Sequence, residues 1–504
     1  MARKQPNILI FMTDQEQGDV SLPGHPALMP NARRLAAEGV QFTRARCPTT
    51  HCCPSRATFM TGVYPSRHGI YNNVATPTAI HFGLNPGLTT FSEALRRGGY
   101  QMAYAGKWHV SNEEGPSDRG WDELYVTANK GAYMHRSFDQ WRQQTSPRAS
   151  DRASDRTPET ERRPGEIVRP GWGNVQLYDT FATDPAQAPR GYEETDDFRV
   201  VESALDHLPK LALGREPWCL YVGPLGPHDP YVVPEQFARL YDPRNVPLPA
   251  SFADALEDKP RVYQRVRRQY WDQLSEDEVR DAIAHYWAYC SMEDALFGLV
   301  LDALDATGQA EDTLVLRTSD HGDYCAAHGL WAKGVPSFRE GYSIPFVVRW
   351  PAGIANPGRE VDDFVTLADF APTALDVAGL PIPADWHGSS VRPFLADERP
   401  AGWTDAFFTQ FNGVELYYSQ RSVTTRDYKY VYNGFDFDEL YDLRVDPSEM
   451  VNLSDRPEYA EVKRNLVRRM WEFGYRTGDE MMFNQYMTVA LAPFGPAEAL
   501  GRSE

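Results

Sequence analysis

A chain of 504 residues exceeds what one ordinary hydrophobic core supports, so two domains are expected. With 42% hydrophobic and 12% aromatic residues it belongs among folded proteins, and it lacks the run of about 18 apolar residues that a membrane-spanning helix needs. The 51 basic and 70 acidic residues leave a net charge of −19, a field that disfavours nucleic acid as a partner.

In chain order, residues 7–14 read as a buried strand ending in Thr13-Asp14, and Pro30 to Gly39 as a helix with Gly39 at its C-cap. Val40 to Thr43 is the next strand. Pro54 suits a first helical position and Gly62 the residue past a helix end, so Pro54 to Thr61 is predicted as a two-turn helix with Cys52 just ahead of it. Leu88 to Gly98 reads as a helix and Tyr100 to Gly106 as a strand. Residues 146–170 break this alternation: Ala149-Ser150-Asp151-Arg152 repeats at once as Ala153-Ser154-Asp155-Arg156, followed by mixed charge. They read as a solvated insertion, with a flap over a site as the functional alternative. Trp218 to Gly223 and Leu314 to Ser319 are predicted as buried strands. Ser275 to Gly308 is predicted as a long helix, with Ser275 as N-cap and Glu278 completing a capping box.

The character changes after about residue 398. Arg421 to Arg426, Tyr428 to Tyr432 and Glu439 to Arg444 read as antiparallel strands with Asn433-Gly434 in the turn region, and a helix runs from about Pro457 to Gly474. The predicted fold class is therefore α/β. A large, mostly parallel central sheet flanked by helices occupies residues 1–398, with a variable insertion at about 130–190. A smaller α+β domain with antiparallel strands and a terminal helix occupies 399–504. In such a sheet, functional groups collect at the carboxyl ends of the strands.

Six cysteines are too few and too scattered for a disulfide framework, and no C-x-x-C pair suggests zinc. The apolar stretch Asn7 to Met12 is short and lacks a small-residue cleavage site, which makes the cytoplasm the expected compartment.

Six segments carry chemistry. Cys52-Cys53-Pro54-Ser55-Arg56 opens the short helix, where free N–H groups favour an anion. Arg56 in that first turn opposes the helix dipole, so a further group, such as a bound anion, is expected to require it. Asp14-Gln15 ends the first strand and Asp320-His321-Gly322 ends the strand Leu314 to Ser319. Carboxylates gathered at strand ends repel unless a cation holds them, which points to a divalent metal. Gly106-Lys107-Trp108-His109, if extended, puts Lys107 and His109 on one face. Pro227-His228-Asp229-Pro230-Tyr231 holds His228 between prolines, and Lys333 lies in Gly329-Leu330-Trp331-Ala332-Lys333-Gly334, shortly after His321.

Together these segments resemble the type I sulfatases of the alkaline phosphatase superfamily, whose C-x-P-S-R cysteine is oxidised after translation to Cα-formylglycine. Pro30-Asn31, Arg119-Gly120-Trp121-Asp122, Asp369-Phe370-Ala371-Pro372-Thr373 and Leu440-Tyr441-Asp442-Leu443 with Asp446-Pro447 extend the resemblance. It covers nearly the whole chain except about 130–190 and the last 25 residues. It implies an alkaline-phosphatase-like fold and hydrolysis of a sulfuric ester to alcohol and sulfate. The nucleophile would be the geminal diol formed from Cys52, and a formylglycine-generating enzyme would be the maturation partner.

The resemblance further implies one divalent ion held by Asp14, Gln15, Cys52, Asp320 and His321. The family usually carries Asp-Asp and then Asp-Asn or Asp-His, and binds Ca²⁺. Gln15 departs from that pattern and removes one charge, and with His321 it makes the set softer, which keeps Mn²⁺ as the alternative. The implied roles are attack on sulfur by one diol oxygen, charge stabilisation by Arg56, Lys107 and Lys333, and protonation of the leaving oxygen by His228 or Lys333. His109 would take the proton of the second hydroxyl as the ester on residue 52 collapses. Asn73 resembles an asparagine near the site in relatives with Asp-Gln, and is grouped with Lys107, His228 and Lys333 as substrate-binding.

A phosphonate monoester or phosphodiester hydrolase of the same superfamily is the nearest alternative. It shares Asp-Gln, Asp-His and the oxidised cysteine but typically lacks the lysine and histidine found here at Lys107 and His109. A metal-binding scaffold without turnover is the second alternative, should Cys52 stay a thiol. The net charge disfavours densely sulfated polymers and is compatible with a small neutral or cationic ester. Choline, aryl, alkyl and sugar sulfates all stay open, as does the oligomeric state, a homo-oligomer included.

Overall fold

The computed structural model describes residues 5–74, 79–131, 162–169, 173–413, 417–434, 436–483, 489 and 494–499. Twelve strands precede residue 370: β1 (Asn7–Thr13), β2 (Val40–Arg46), β3 (Gln101–Lys107), β4 (Asp122–Thr127), β5 (Glu166–Arg169), β6 (Gly173–Gln176), β7 (Tyr178–Phe181), β8 (Trp218–Gly223), β9 (Tyr231–Pro234), β10 (Thr313–Ser319), β11 (Phe346–Arg349) and β12 (Arg359–Thr366). Eight of them form one sheet in the order β12-β2-β11-β10-β1-β8-β3-β4. Only β11 runs against its neighbours there, so the sheet is mixed rather than wholly parallel. At its centre, β10, β1, β8 and β3 are mutually parallel, and their carboxyl ends share one edge.

The apolar run of β1 follows from burial on both faces. Ile8, Ile10 and Met12 point into one core, and Leu9 and Phe11 into the other. Helix Pro30–Ala37, helix Asp196–Leu213 and helix Glu276–Ala306 cover the second face through Leu35, Leu208, Leu296 and Phe297. Helices Cys52–Thr61, Phe91–Arg97 and Phe370–Val377 cover the first face through Phe59, Phe91 and Phe370. Each such side chain taken out of water contributes about 1.5–3 kcal/mol.

Helix boundaries follow local chemistry. Ser275 caps the long helix, and the predicted capping box with Glu278 is present. Ser275→Ala is expected to cost about 1 kcal/mol, read as a lower denaturant midpoint with unchanged activity. An unchanged midpoint would show that the first turn is held by Arg162 on Glu278 instead. Gly106 has φ 116°, and a Cβ there would lie 2.0 Å from the Gly223 carbonyl oxygen, so β3 and β8 can approach only with glycine at this point.

The C-terminal part is a four-stranded antiparallel sheet of β13 (Phe407–Phe411), β14 (Gln420–Thr424), β15 (Tyr428–Asn433) and β16 (Glu439–Asp442). Strand β13 went unpredicted, since the alternation in Phe407-Phe408-Thr409-Gln410-Phe411 is imperfect. The covering helix is Ala460–Thr477, the predicted length but starting and ending three residues later, with Pro457–Tyr459 forming a 3-10 turn ahead of it. Gly474 lies inside it, and Gly478 with φ 64° ends it. Leu466, Met470 and Trp471 seat that helix on Val423, Tyr430 and Leu440. The predicted 146–170 insertion lies outside the described residues except for 162–169, which include β5 paired with β6. No described helix is long and apolar enough to cross a membrane.

Candidate active site

The site is assembled from the ends of parallel strands and the start of one helix. Asp14 follows β1, Asp320 and His321 follow β10, Lys107 is the last residue of β3, and His228 lies on the loop after β8. Helix α1 (Pro30–Ala37) lies on the opposite face, and helix α2 (Cys52–Thr61) brings in the nucleophile candidate. Helix α2 starts two residues earlier than predicted. His51 is the N-cap, Cys52 the first helical residue and Pro54 the third, while Gly62 with φ 69° ends the helix as expected.

Arg56 organises the carboxylates. It is 1% exposed, and a guanidinium buried to that degree must be paired. Its Nε donates to Asp320 Oδ2 at 2.8 Å and its Nη2 to Asp14 Oδ2 at 3.0 Å. Its Nη1 donates to the Lys107 carbonyl and to Tyr221 Oη, each at 3.0 Å. The group that Arg56 was expected to need is therefore this pair of carboxylates. Lys107 Nζ adds a third contact, 2.6 Å from Asp14 Oδ2. Burial alone would raise the Asp14 carboxyl, but Lys107, His228 and Arg56 outweigh it and hold the group well below the usual range.

The other carboxylate oxygens face inward. Asp14 Oδ1 and Asp320 Oδ1 each lie 3.7 Å from His321 Nε2. Cys52 Sγ lies 3.2 Å from that nitrogen and 3.8 Å from Asp14 Oδ1. One donor atom from each of the four residues falls within 4.8 Å of all the others. His321 Nδ1 lies 2.9 Å from the Gly322 carbonyl, which fixes the proton there and leaves the Nε2 lone pair pointing inward. Burial pushes the imidazole toward its neutral form. Two inward carboxylate oxygens and an imidazole lone pair fit a divalent cation.

The Gln15 side chain is hydrogen-bonded to three residues outside this group of four. With φ 68°, its amide nitrogen donates to Asp229 Oδ1 at 3.1 Å and Asp323 Oδ2 at 2.6 Å, and its amide oxygen accepts from Lys333 Nζ. Gln15 thus links the strand end to the Lys333 and His228 side of the site. His228 Nε2 lies 2.5 Å from Lys333 Nζ, and its Nδ1 lies 2.6 Å from the Asp229 carbonyl oxygen.

Asn73 Oδ1 accepts the Cys53 backbone N–H at 3.0 Å, so Asn73 braces the first turn of α2 beside residue 52. His109 follows the end of β3 in a left-handed conformation, φ 45°, and not as the simple continuation of a strand. Burial and the nearby cations Lys107 and Arg56 push its imidazole well down.

Sequence reasoning missed Tyr221, Asp323 and Asp229. Tyr221 sits in an apolar strand and reads as core. Asp323 is two residues past His321, and Asp229 sits inside the proline-framed segment, so both were within reach of a spacing argument. Burial pushes the Asp323 carboxyl up to about 6.

This fold and site define a class. The Sulfatase family model matches residues 6–380, and the model described as N-sulphoglucosamine sulphohydrolase, C-terminal matches 326–475. The chain belongs to the sulfatase family and is a hydrolase of sulfate esters. It is 32% identical over 486 residues to the choline-sulfatase of Rhizobium meliloti (strain 1021), covering 91% of this chain and 84% of that one. It is 25% identical to the N-acetylglucosamine-6-O-sulfatase of Bacteroides thetaiotaomicron, over 93% of this chain and 86% of the relative. The crystal structure of the phosphonate monoester hydrolase of Agrobacterium radiobacter superposes with a TM-score of 0.72 at 25% identity, covering 96% of this chain and 97% of that one.

Proposed function

We propose that this chain hydrolyses a small sulfate monoester with residue 52, matured from cysteine to Cα-formylglycine, as its nucleophile. The carrying observation is the convergence of Cys52 Sγ with Asp14 Oδ1, Asp320 Oδ1 and His321 Nε2, backed by three further cations and imidazoles. The Cys52 sulfur stands in for an oxygen of the hydrated aldehyde. Asp14, Asp320, His321 and residue 52 would hold a divalent ion, Ca²⁺ with Mn²⁺ as its rival. That ion supplies Lewis acidity toward the sulfuryl oxygens. The Gln15 amide oxygen, which accepts from Lys333, keeps a second lone pair that could join it.

The chain's own residues divide the remaining work. Lys107 and Lys333 offset charge on the transferring group from two sides. Arg56 holds both carboxylates in register. Lys333, whose Nζ faces His228 Nε2, or His228 in its protonated form is placed to give a proton to the leaving oxygen. His109, held neutral by burial, is the proton acceptor for the second hydroxyl of residue 52. His109→Ala is therefore expected to release alcohol in a burst of about one equivalent per site and then slow by at least about 100-fold. A steady-state trace without a burst would remove His109 from that step.

Cys52 is 1% exposed, which supports oxidation before the sheet closes over it by a formylglycine-generating enzyme. A peptide spanning residues 47–62 should be converted by such an enzyme while the folded Cys52 protein is not. Conversion of the folded protein would contradict this order. The six described cysteines are unpaired and buried, which supports the cytoplasm as the proposed compartment, testable by cell fractionation.

The substrate reading is tested with a panel of choline, aryl, alkyl and sugar sulfates beside a phosphonate monoester and a phosphodiester. A sulfate monoester is expected to lead by kcat/KM. The similarity to a phosphonate monoester hydrolase makes the opposite ranking the decisive contrary result.

A further inference from the structure

A second charged cavity lies between the central sheet and the C-terminal sheet. It encloses about 530 Å³ and shares no residue with the site around Cys52. Five cations line it, Arg44, Arg46, Arg339, Arg426 and Lys429, against three carboxylates, Asp19, Asp362 and Glu449. The chain as a whole carries −19, so this local excess of positive charge runs against the average.

The three carboxylates are already engaged. Asp362 accepts from both Arg44 and Arg426. Asp19 pairs with Arg339 at 2.8 Å, and Glu449 with Lys429 at 2.9 Å. Arg46 is left with uncharged partners. Its Nη1 donates to the Ala45 carbonyl at 2.8 Å and to Ser343 Oγ at 3.1 Å. Strand β2 sets this arrangement, since its period of two places Arg44 and Arg46 on one face. Burial, together with the neighbouring Arg339, lowers Arg46 to about 10 against the pull of Asp19 and Glu449, so the group stays charged at neutral pH. Tyr342 lines the same cavity and is 3% exposed, with the side chains of Thr50, Ser337 and Thr409 about its hydroxyl. A half-buried guanidinium with two neutral acceptors and, among the described residues, no paired carboxylate is left with donors to offer a ligand in this polar cavity.

We propose that this cavity is a second anion site, taking a tetrahedral oxyanion of the sulfate type, free or as the head of a small ester, on Arg46. A guanidinium presents its donors in a planar fork suited to two such oxygens, and the Tyr342 hydroxyl supplies a further donor. Arg46 lies six residues ahead of Cys52, and the intervening Cys47 N–H donates to the Tyr342 carbonyl at 3.0 Å. An occupant would thus rest against the segment that leads into α2.

The metal-loaded enzyme is titrated calorimetrically with inorganic sulfate, with ionic strength held constant by chloride. Two classes of site are expected. Cys52→Ala should weaken one and leave the other. Arg46→Gln should weaken the second by at least tenfold while kcat and KM at low sulfate stay within twofold of wild type. An Arg46→Gln isotherm identical to wild type overturns the proposal, as does displacement of sulfate by equimolar chloride. Should Arg46→Gln fail to fold, Arg426→Gln leaves Arg44 on Asp362 and must weaken the same class by at least threefold, and an unchanged dissociation constant there overturns it equally. Parallel titration with methyl sulfate separates the sources. Tighter binding of the ester assigns the cavity to ester heads, tighter binding of free sulfate assigns it to released product, and either keeps the anion site.

Discussion

Cys52→Ala is expected to lose turnover by on the order of 10⁴-fold or more, because it removes the proposed nucleophile while the carboxylates and imidazole around it are committed to Arg56, Lys107 and the metal. Cys53→Ala should retain most activity. The two neighbours differ in surroundings, although both are buried. Cys52 Sγ faces His321 and Asp14, whereas Cys53 Sγ accepts only the Val74 N–H, at 3.4 Å, and burial pushes its thiol up. Cys53 is a packed, inert sulfur. In mature enzyme, the tryptic peptide carrying both should be lighter by about 18 Da at residue 52 alone, the mass difference between a thiol and an aldehyde. Equal loss of activity from both substitutions would indicate chemistry of the vicinal thiols and sink the formylglycine reading.

The second large effect concerns the metal. His321→Ala removes an inward-facing donor without touching the Arg56 pairs, and it should reduce bound metal to well below one equivalent with the fold intact. Turnover should fall with it, on the order of 10³-fold, as Lewis-acid stabilisation is lost. Asp320→Ala should also lose the metal, with an added stability cost of about 3–5 kcal/mol, because Arg56 Nε then sits buried without its carboxylate. Metal content by elemental analysis and unfolding midpoints separate the two effects. Reloading the stripped protein with Ca²⁺ or Mn²⁺ decides the ion. Stoichiometric metal in both variants would place the ion elsewhere.

Arg56 links these two expectations. It had stood out in the sequence as a cation in the wrong turn of a helix. Its partners lie 42 residues before it and 264 residues after it in the chain, at Asp14 and Asp320. Because the outer oxygen of each carboxylate is neutralised by Arg56, and that of Asp14 also by Lys107, the inner oxygens can approach one another without the metal. The site is therefore preformed, which lowers the reorganisation needed on metal loading.

The sequence alone determined the class of the central sheet and named most of the side chains that the fold gathers at its carboxyl edge. Strands such as Asn7–Thr13 and Trp218–Gly223 were legible because an apolar run bounded by polar residues has few other readings. Cys52, Lys107, His228, Asp320 and Lys333 were legible because their local patterns are unusual and the family resemblance ties them together. Capping at Ser275 was legible for a local reason, since both partners lie within one turn.

Tertiary structure alone decided what each side chain touches. Gln15 read as a metal ligand from its place beside Asp14, and only the fold shows that its amide meets Lys333, Asp229 and Asp323, all distant in sequence. Asn73 proved a brace for α2, and Tyr221 a partner of Arg56, through contacts spanning 20 and 165 residues. The cavity around Arg46 had no sequence signal, because its charge excess exists only once two sheets meet. Local pattern specifies backbone conformation, whereas hydrogen-bond partners and electrostatic balance depend on which strand ends the fold brings within a few ångströms.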